Sequence, residues 1–262
     1  PSVFIPPPVQ SGQSSLLKAV SETDKVVANS SDHDFKFYAV YPAPATADIS
    51  SMPVAVPSVQ EYSVGTIGYL PLTAVKKVVS VLPTVEFDVK TPFSVLNLKV
   101  PADIIEEGTP ATLKSLTISP YDETAFDGAI SGNGTLDAET GVFTLSGGKS
   151  KSIRLDFPEG GLELKEASTV IPVVVLPFTV PEGGFEVEFE DVAGKTMQTS
   201  FYNQKSDTGK KLSAGETVEI TVSRSADGVV PVTFPVVFKL GKYDGVQNFT
   251  KDTQPKWVSD VI

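Results

Sequence analysis

The chain has 262 residues, 40% of them hydrophobic, with 21 prolines, 20 glycines and no cysteine, so it can bury real cores but holds no disulfide and no thiolate nucleophile or metal ligand. Thirty-two acidic against 21 basic residues leave a net charge of −11, a sign that repels phosphate backbones and anionic lipid headgroups and argues against a nucleic-acid partner. No apolar run approaches the roughly 20 residues that cross a bilayer as a helix.

Residues 1–30 read as an irregular lead-in. Val3-Phe4-Ile5 runs into Pro6-Pro7-Pro8, and a Ser- and Gln-rich stretch follows in which Leu16, Leu17 and Val20 offer one or two helical turns. A period-two pattern begins at Phe35, with Phe35, Phe37 and Ala39 on one face and Lys36 and Tyr38 on the other. From Pro42 to Pro57 proline is frequent; lacking the N–H that an interior strand needs, it makes this stretch an extended excursion. Strands are predicted at Val64–Tyr69, Val78–Leu82, Val85–Val89, Ser94–Val100 and Leu113–Ser119, the last leading into Ala125–Ile130. Gly134–Leu136 and Val142–Leu145 then form a hairpin closed by Asp137–Gly141, a five-residue loop ending in glycine. Ser146-Gly147-Gly148-Lys149-Ser150 has the composition of a linker.

A second set of strands is predicted at Ile153–Phe157, Val170–Val180, Phe185–Glu190, Thr196–Phe201, Thr217–Ser223 and Val229–Leu240. In Phe185–Glu190 apolar and acidic residues alternate, so Phe185, Val187 and Phe189 face a core and three glutamates face water. Helical spacing is scarce throughout. The fold class is therefore all-β with little helix, and the strand sets predict two β-sandwich domains in tandem, residues 1–148 and residues 149–262, the second with a terminal tail.

In Val229–Leu240, Pro231 and Pro235 are four residues apart, so both missing N–H groups lie along one edge. An edge protected against aggregation and an edge used in assembly both satisfy that pattern. In the tail, Trp257, Val258, Val261 and Ile262 are large apolar residues whose burial, at roughly 1.5–3 kcal/mol each, draws them onto their own module or onto another subunit. Pro231, Pro235, Trp257, Val258, Val261 and Ile262 are the candidate assembly residues.

The chemistry of an active site is missing from the pattern. His33 is the lone histidine, placed in Ser31-Asp32-His33-Asp34, where a solvated turn explains it better than a metal cluster that has no second histidine. The glutamates alternate on solvent faces, and Gly132-Asn133-Gly134 and Gly147-Gly148 lack the lysine–hydroxyl pattern of a phosphate loop. No catalytic, cofactor-binding or transition-metal residue is expected, although loop carboxylates leave calcium binding open. A chelator of zinc or iron is accordingly expected to leave the melting temperature unchanged, which a thermal scan checks. Tyr38, Tyr41, Tyr62, Tyr69 and Trp257 would make a sugar-binding platform if exposed together.

Several segments in order resemble a known family. Phe35–Pro42 resembles the early strand of the fimbrillin-like proteins of the Bacteroidales. Pro92–Val100 is similar to their second signature, in which a serine leads into alternating apolar residues. Lys114–Ile118, Phe126-Asp127-Gly128 and Gly134–Asp137 follow in the same order, then Val175-Leu176-Pro177, Phe185–Gly194 and Leu212–Ile220, with Trp257 in the place of their terminal tryptophan segment. The resemblance runs from about residue 35 onward. It implies two transthyretin-like β-sandwich domains in a non-enzymatic fimbrial (pilus) subunit or surface adhesin, exported as an outer-membrane lipoprotein. It also implies polymerisation by strand addition, with other fimbrial subunits as partners in a homo- or hetero-polymer and a host or bacterial surface protein or glycan as a target. The chain begins at Pro1, so the signal segment is expected to be absent from it. Its arginines, Arg154 and Arg224, lie well inside the modules, which leaves stalk, tip and anchor roles open. The alternative is a surface glycan-binding lipoprotein of a gut bacterium.

Overall fold

A computed structural model of the protein describes residues 4–5, 18–19, 35–41, 48–63, 71–78, 87–165 and 167–224, all within one unit, Pro1–Val230. Among these residues there is no helix. The first strands are β1 (Phe4–Ile5), β2 (Lys18–Ala19), β3 (Phe35–Tyr41), β4 (Met52–Val56), β5 (Val59–Glu61) and β6 (Leu72–Val78). The middle of the chain supplies β7 (Ser94–Pro101), β8 (Thr112–Pro120), β9 (Ser131–Asp137), β10 (Val142–Ser150), β11 (Ile153–Asp156) and β12 (Leu162–Glu163). Then come β13 (Ser168–Val175), β14 (Phe178–Thr179), β15 (Phe185–Asp191), β16 (Thr196–Phe201), β17 (Lys211–Leu212) and β18 (Thr217–Thr221). The all-β class is the one that the alternating sequence predicts.

The largest sheet runs β16-β15-β8-β11-β5, with β12 also on β8. Its register turns the period-two pattern into rows of like side chains. Phe189 lies opposite Leu116, which lies opposite Leu155; Val187, Ile118 and Ile153 form the next row. All six are buried. The alternate rows are polar: Glu190, Ser115 and Asp156 line up, as do Glu188, Thr117 and Arg154. A second sheet runs β13-β7-β18, and its rows Ile171–Leu98–Ile220 and Val173–Leu96–Val218 belong to the same buried cluster. Two sheets thus meet in one core. Each apolar row contributes because burying a Leu, Ile, Val or Phe side chain is worth roughly 1.5–3 kcal/mol.

That core is fed from both sides of residue 148: β8 is bonded to β11 and β15, and β7 to β13 and β18. Ser146–Ser150, expected as a linker, is the second half of β10, which pairs with β9 as far as Ser150↔Ser131. Its glycines accommodate register shifts after Leu145 and after Gly147, the local irregularities that an extra residue in one strand produces. The boundary expected at 148/149 falls inside this strand. The hairpin itself is as predicted: Asp137 Oδ1 accepts the N–H of Glu139 at 2.8 Å, and Gly141, at φ 72°, donates to Asp137 O.

Four strand expectations are corrected. Met52–Val56, within the proline-rich excursion, is a strand at the end of the sheet β10-β9-β4, where Pro53 costs little because β4 is bonded on one side only among the described residues. Ala125–Ile130 joins no sheet; Asp122 Oδ1 turns the chain there by accepting the N–H of Thr124 at 2.8 Å, and Phe126 and Ile130 pack inward. Val170–Val180 is two strands, β13 and β14, interrupted at Leu176-Pro177. Phe87–Val89 is not strand either, and Lys90 makes only an isolated bridge to Thr73. Residues 64–69, 79–86 and 229–240 lie outside the described residues.

Gly134 is dictated by the packing of this hairpin. A Cβ there would come within 2.2 Å of Thr144 O and 2.6 Å of Phe143 Cε2, so the bare backbone of β9 lets Phe143 lie across it. Phe143 then meets Phe93 edge-on, with ring centroids 5.1 Å apart and planes at 83°.

Candidate functional site

Polar chemistry on this fold is surface chemistry. On the outer face of the large sheet Glu190 accepts from Lys114 Nζ at 2.5 Å and from Ser115 Oγ at 3.2 Å, with Arg154 Nη2 at 3.8 Å. The Lys114 bond holds its carboxyl below the usual range, helped by Ser115 and Arg154. Asp48 and Asp122 are lowered by bonds from Ser50 and Thr124, and Glu106 by Lys195. In each of these four the hydrogen bond favours the charged form. Among the described residues no group of three or more His, Asp or Glu side chains is placed to hold a metal ion.

The described tyrosines do not assemble a platform. Tyr62 packs edge-on against Phe157 at 5.3 Å as part of the core wall. Tyr38 and Tyr41 are three residues apart on β3 and so face opposite ways. The Tyr38 hydroxyl reaches Glu139 Oε2 at 3.3 Å. Tyr69, Trp257 and His33 lie outside the described residues, as do the candidate assembly residues Pro231, Pro235, Trp257, Val258, Val261 and Ile262.

What the structure does present is a sheet edge, β18, with no strand paired beyond it among the described residues. β18 runs parallel to β7 and is fastened to it through alternate residues: Val95 N–H donates to Glu216 O at 2.9 Å, and Val222 N–H to Lys99 O at 3.0 Å. Residues 216, 218, 220 and 222 therefore direct their backbone groups at β7. Thr217, Glu219 and Thr221 direct theirs the other way, and none of these has a backbone partner among the described residues. Ile220 and Val222 are buried on the core face, while Thr217, Glu219 and Thr221 are exposed, Glu219 reaching Lys99 Nζ at 2.6 Å. Three N–H and three C=O groups in a row form a template for another strand. Sequence reasoning reached the strand but not its position at an edge, because alternation within Thr217–Ser223 carries no information about its neighbours.

A second feature lies beside β10, which among the described residues is bonded to β9 alone. A shallow groove of about 460 Å³ runs along it, with Phe143, Leu145, Leu176 and Pro177 among its lining residues.

A fimbrillin-like family profile matches residues 13–236, which takes in β3 to β18. No curated protein matches the chain. Among solved structures, a candidate cell adhesion protein from Bacteroides uniformis ATCC 8492 is similar over 84% of this chain and 78% of its own, with a TM-score of 0.54 and 18% identity. Candidate cell adhesion proteins from Bacteroides ovatus ATCC 8483 and Bacteroides fragilis NCTC 9343 are 13% and 17% identical, cover 79% and 87% of this chain and 69% and 75% of their own, and give TM-scores of 0.49 and 0.48. The B. uniformis protein shares the fold, and the profile spans every sheet of the core: this chain belongs to the fimbrillin-like family.

Proposed function

We propose that the chain is a non-enzymatic subunit of a surface fimbria or adhesin and that it joins its neighbours by strand addition at the outer edge of β18. The observation that carries this reading is the row of outward backbone groups at Thr217, Glu219 and Thr221 on a fold of the fimbrillin-like family. Strand addition draws its affinity from main-chain hydrogen bonds and its selectivity from alternate side chains. Residues 242–262, with Trp257, Val258, Val261 and Ile262, have the apolar content of an added strand, and Pro231 and Pro235 lie just upstream. The place of work is the cell surface, with the subunit anchored as an outer-membrane lipoprotein. Its partners are further fimbrial subunits, and a surface protein or glycan is the adhesion target.

Glu219→Pro tests the edge. It removes the middle outward N–H without touching a bond to β7, and the ion pair lost with it is exposed and worth little. The variant is expected to keep a melting temperature within a few degrees of the parent, since its outward N–H has no partner among the described residues. Cells carrying it are expected to lose filaments in electron micrographs, as are cells carrying a deletion of residues 242–262. Normal filaments with Glu219→Pro would remove β18 as the joining edge; a truncated protein that unfolds at a much lower temperature would assign the tail to the core.

A further inference from the structure

β13 is the opposite edge of the sheet that ends in β18. The groups it turns away from β7 belong to its even-numbered residues, as the bond from Leu176 N–H to Ile130 O at 2.8 Å shows. From Pro172 onward the N–H groups of this row are missing or bonded. Pro172 has no N–H. At Val174 a side chain takes the place of a strand: Gln60 Nε2 donates to Val174 O at 2.7 Å, and Val174 N–H donates to Gln60 Oε1 at 3.3 Å. A primary amide carries the same donor and acceptor as a peptide unit, so this pair of bonds copies what a neighbouring strand would supply. Gln60 is 2% exposed, reaches across from β5, and has Pro57 O as a further acceptor at 3.4 Å. Among the described residues 168 and 170 keep both groups and Pro172 keeps only its C=O, so the row is interrupted from Pro172 onward.

We propose that Gln60 is a specificity-determining residue for strand pairing, which together with Pro172 bars β13 to an added strand and leaves β18 as the one edge at which this sheet grows. The inference rests on the strand-addition reading above and adds a direction to it. A buried amide is costly unless all of its groups are bonded, so leucine or methionine would serve the core as well; glutamine serves the edge.

The chain has no cysteine, so a tail thiol, Val258→Cys, on one copy of the full-length protein can report each edge of a second copy that carries one edge cysteine. Val170→Cys marks β13, where Val170 is 43% exposed, and Thr221→Cys marks β18. A short thiol cross-linker is applied at assembling concentrations, in the parent background and with Gln60→Met. In the parent, cross-linking from position 221 is expected to exceed that from position 170 about tenfold, the ratio set by roughly one intact hydrogen bond. With Gln60→Met, cross-linking from position 170 is expected to rise several-fold, and the Val174 amide to exchange about tenfold faster. Pro172→Val restores the N–H without entering the core and is expected to raise position 170 as well, which keeps the test decisive if Gln60→Met does not fold. Equal cross-linking at the two positions in the parent overturns the proposal, as does an unchanged position 170 in both variants. If the parent cross-links at neither position while the variants do so at 170, Gln60 is an edge cap and the strand-addition reading is what fails.

Discussion

Phe185→Ala is expected to destabilise the protein by about 3–5 kcal/mol, the cost of emptying a large aromatic site that can collapse only in part. Phe185 is 1% exposed and sits among three rings: Phe178 with centroids 4.8 Å apart, Phe126 at 5.5 Å edge-on, and Phe201 at 5.7 Å nearly parallel. It is also the first residue of β15, opposite Phe201 on β16 and Pro120 on β8, so the void opens where the chain enters the central sheet. Urea unfolding measures it: the midpoint falls and the slope holds, since the surface exposed on unfolding changes little. Glu188→Ala, three residues along the same strand on the solvent face, is the control, and a change within about 0.5 kcal/mol is expected there. Equal losses from both variants would mean that the alternation does not separate core from solvent in this strand.

Gly184→Ala is expected to cost about 2–5 kcal/mol, from two sources that act together. Gly184 is held at φ 71°, in the left-handed region where a Cβ costs about 1–2 kcal/mol. Its missing Cβ would also stand 2.3 Å from Tyr202 O and 2.5 Å from Phe201 O, backbone atoms that cannot swing aside, and overpacking of this kind costs typically about 1–3 kcal/mol. Tyr202 is itself at φ 54°, uncommon for a bulky residue, so the turn after β16 is already bent around this contact. The neighbouring Gly183 shares the conformation, but its Cβ would meet only the Tyr121 ring at 2.9 Å, a side chain able to move. Gly183→Ala should therefore fall short of Gly184→Ala by the packing contribution. Thermal unfolding of the two variants reads that difference, and identical melting temperatures would show that φ alone matters.

These stability effects lie in the core, whereas the proposed assembly lies at the rim, and the two are separable for a physical reason. Backbone groups at a sheet edge contribute nothing to the fold until a partner arrives. Glu219→Pro can abolish joining while sparing stability; Phe185→Ala does the reverse by lowering the folded population.

The sequence by itself determined the class of this protein and the inward face of the strands whose alternation is plain. Period two admits one geometry, so Phe185, Val187 and Phe189, or Ile153 and Leu155, are buried wherever their strand is placed. The hairpin at Asp137–Gly141 was equally legible, because Asp and Gly act on the few residues around them. The tertiary structure alone decided which strands are neighbours and which edges stay open. Alternation says nothing about who lies beside a strand; β5 pairs parallel with β11, nearly a hundred residues away in the chain. Composition misled where pairing overrode it: the glycines of Ser146–Ser150 are absorbed into β10 as irregularities, and Pro53 is tolerated because β4, among the described residues, has a neighbour on one side only. Gln60 shows the limit most clearly. In the sequence it is one polar residue between Val59 and Glu61; its amide closes a sheet edge only because folding brings it to Val174, 114 residues further on.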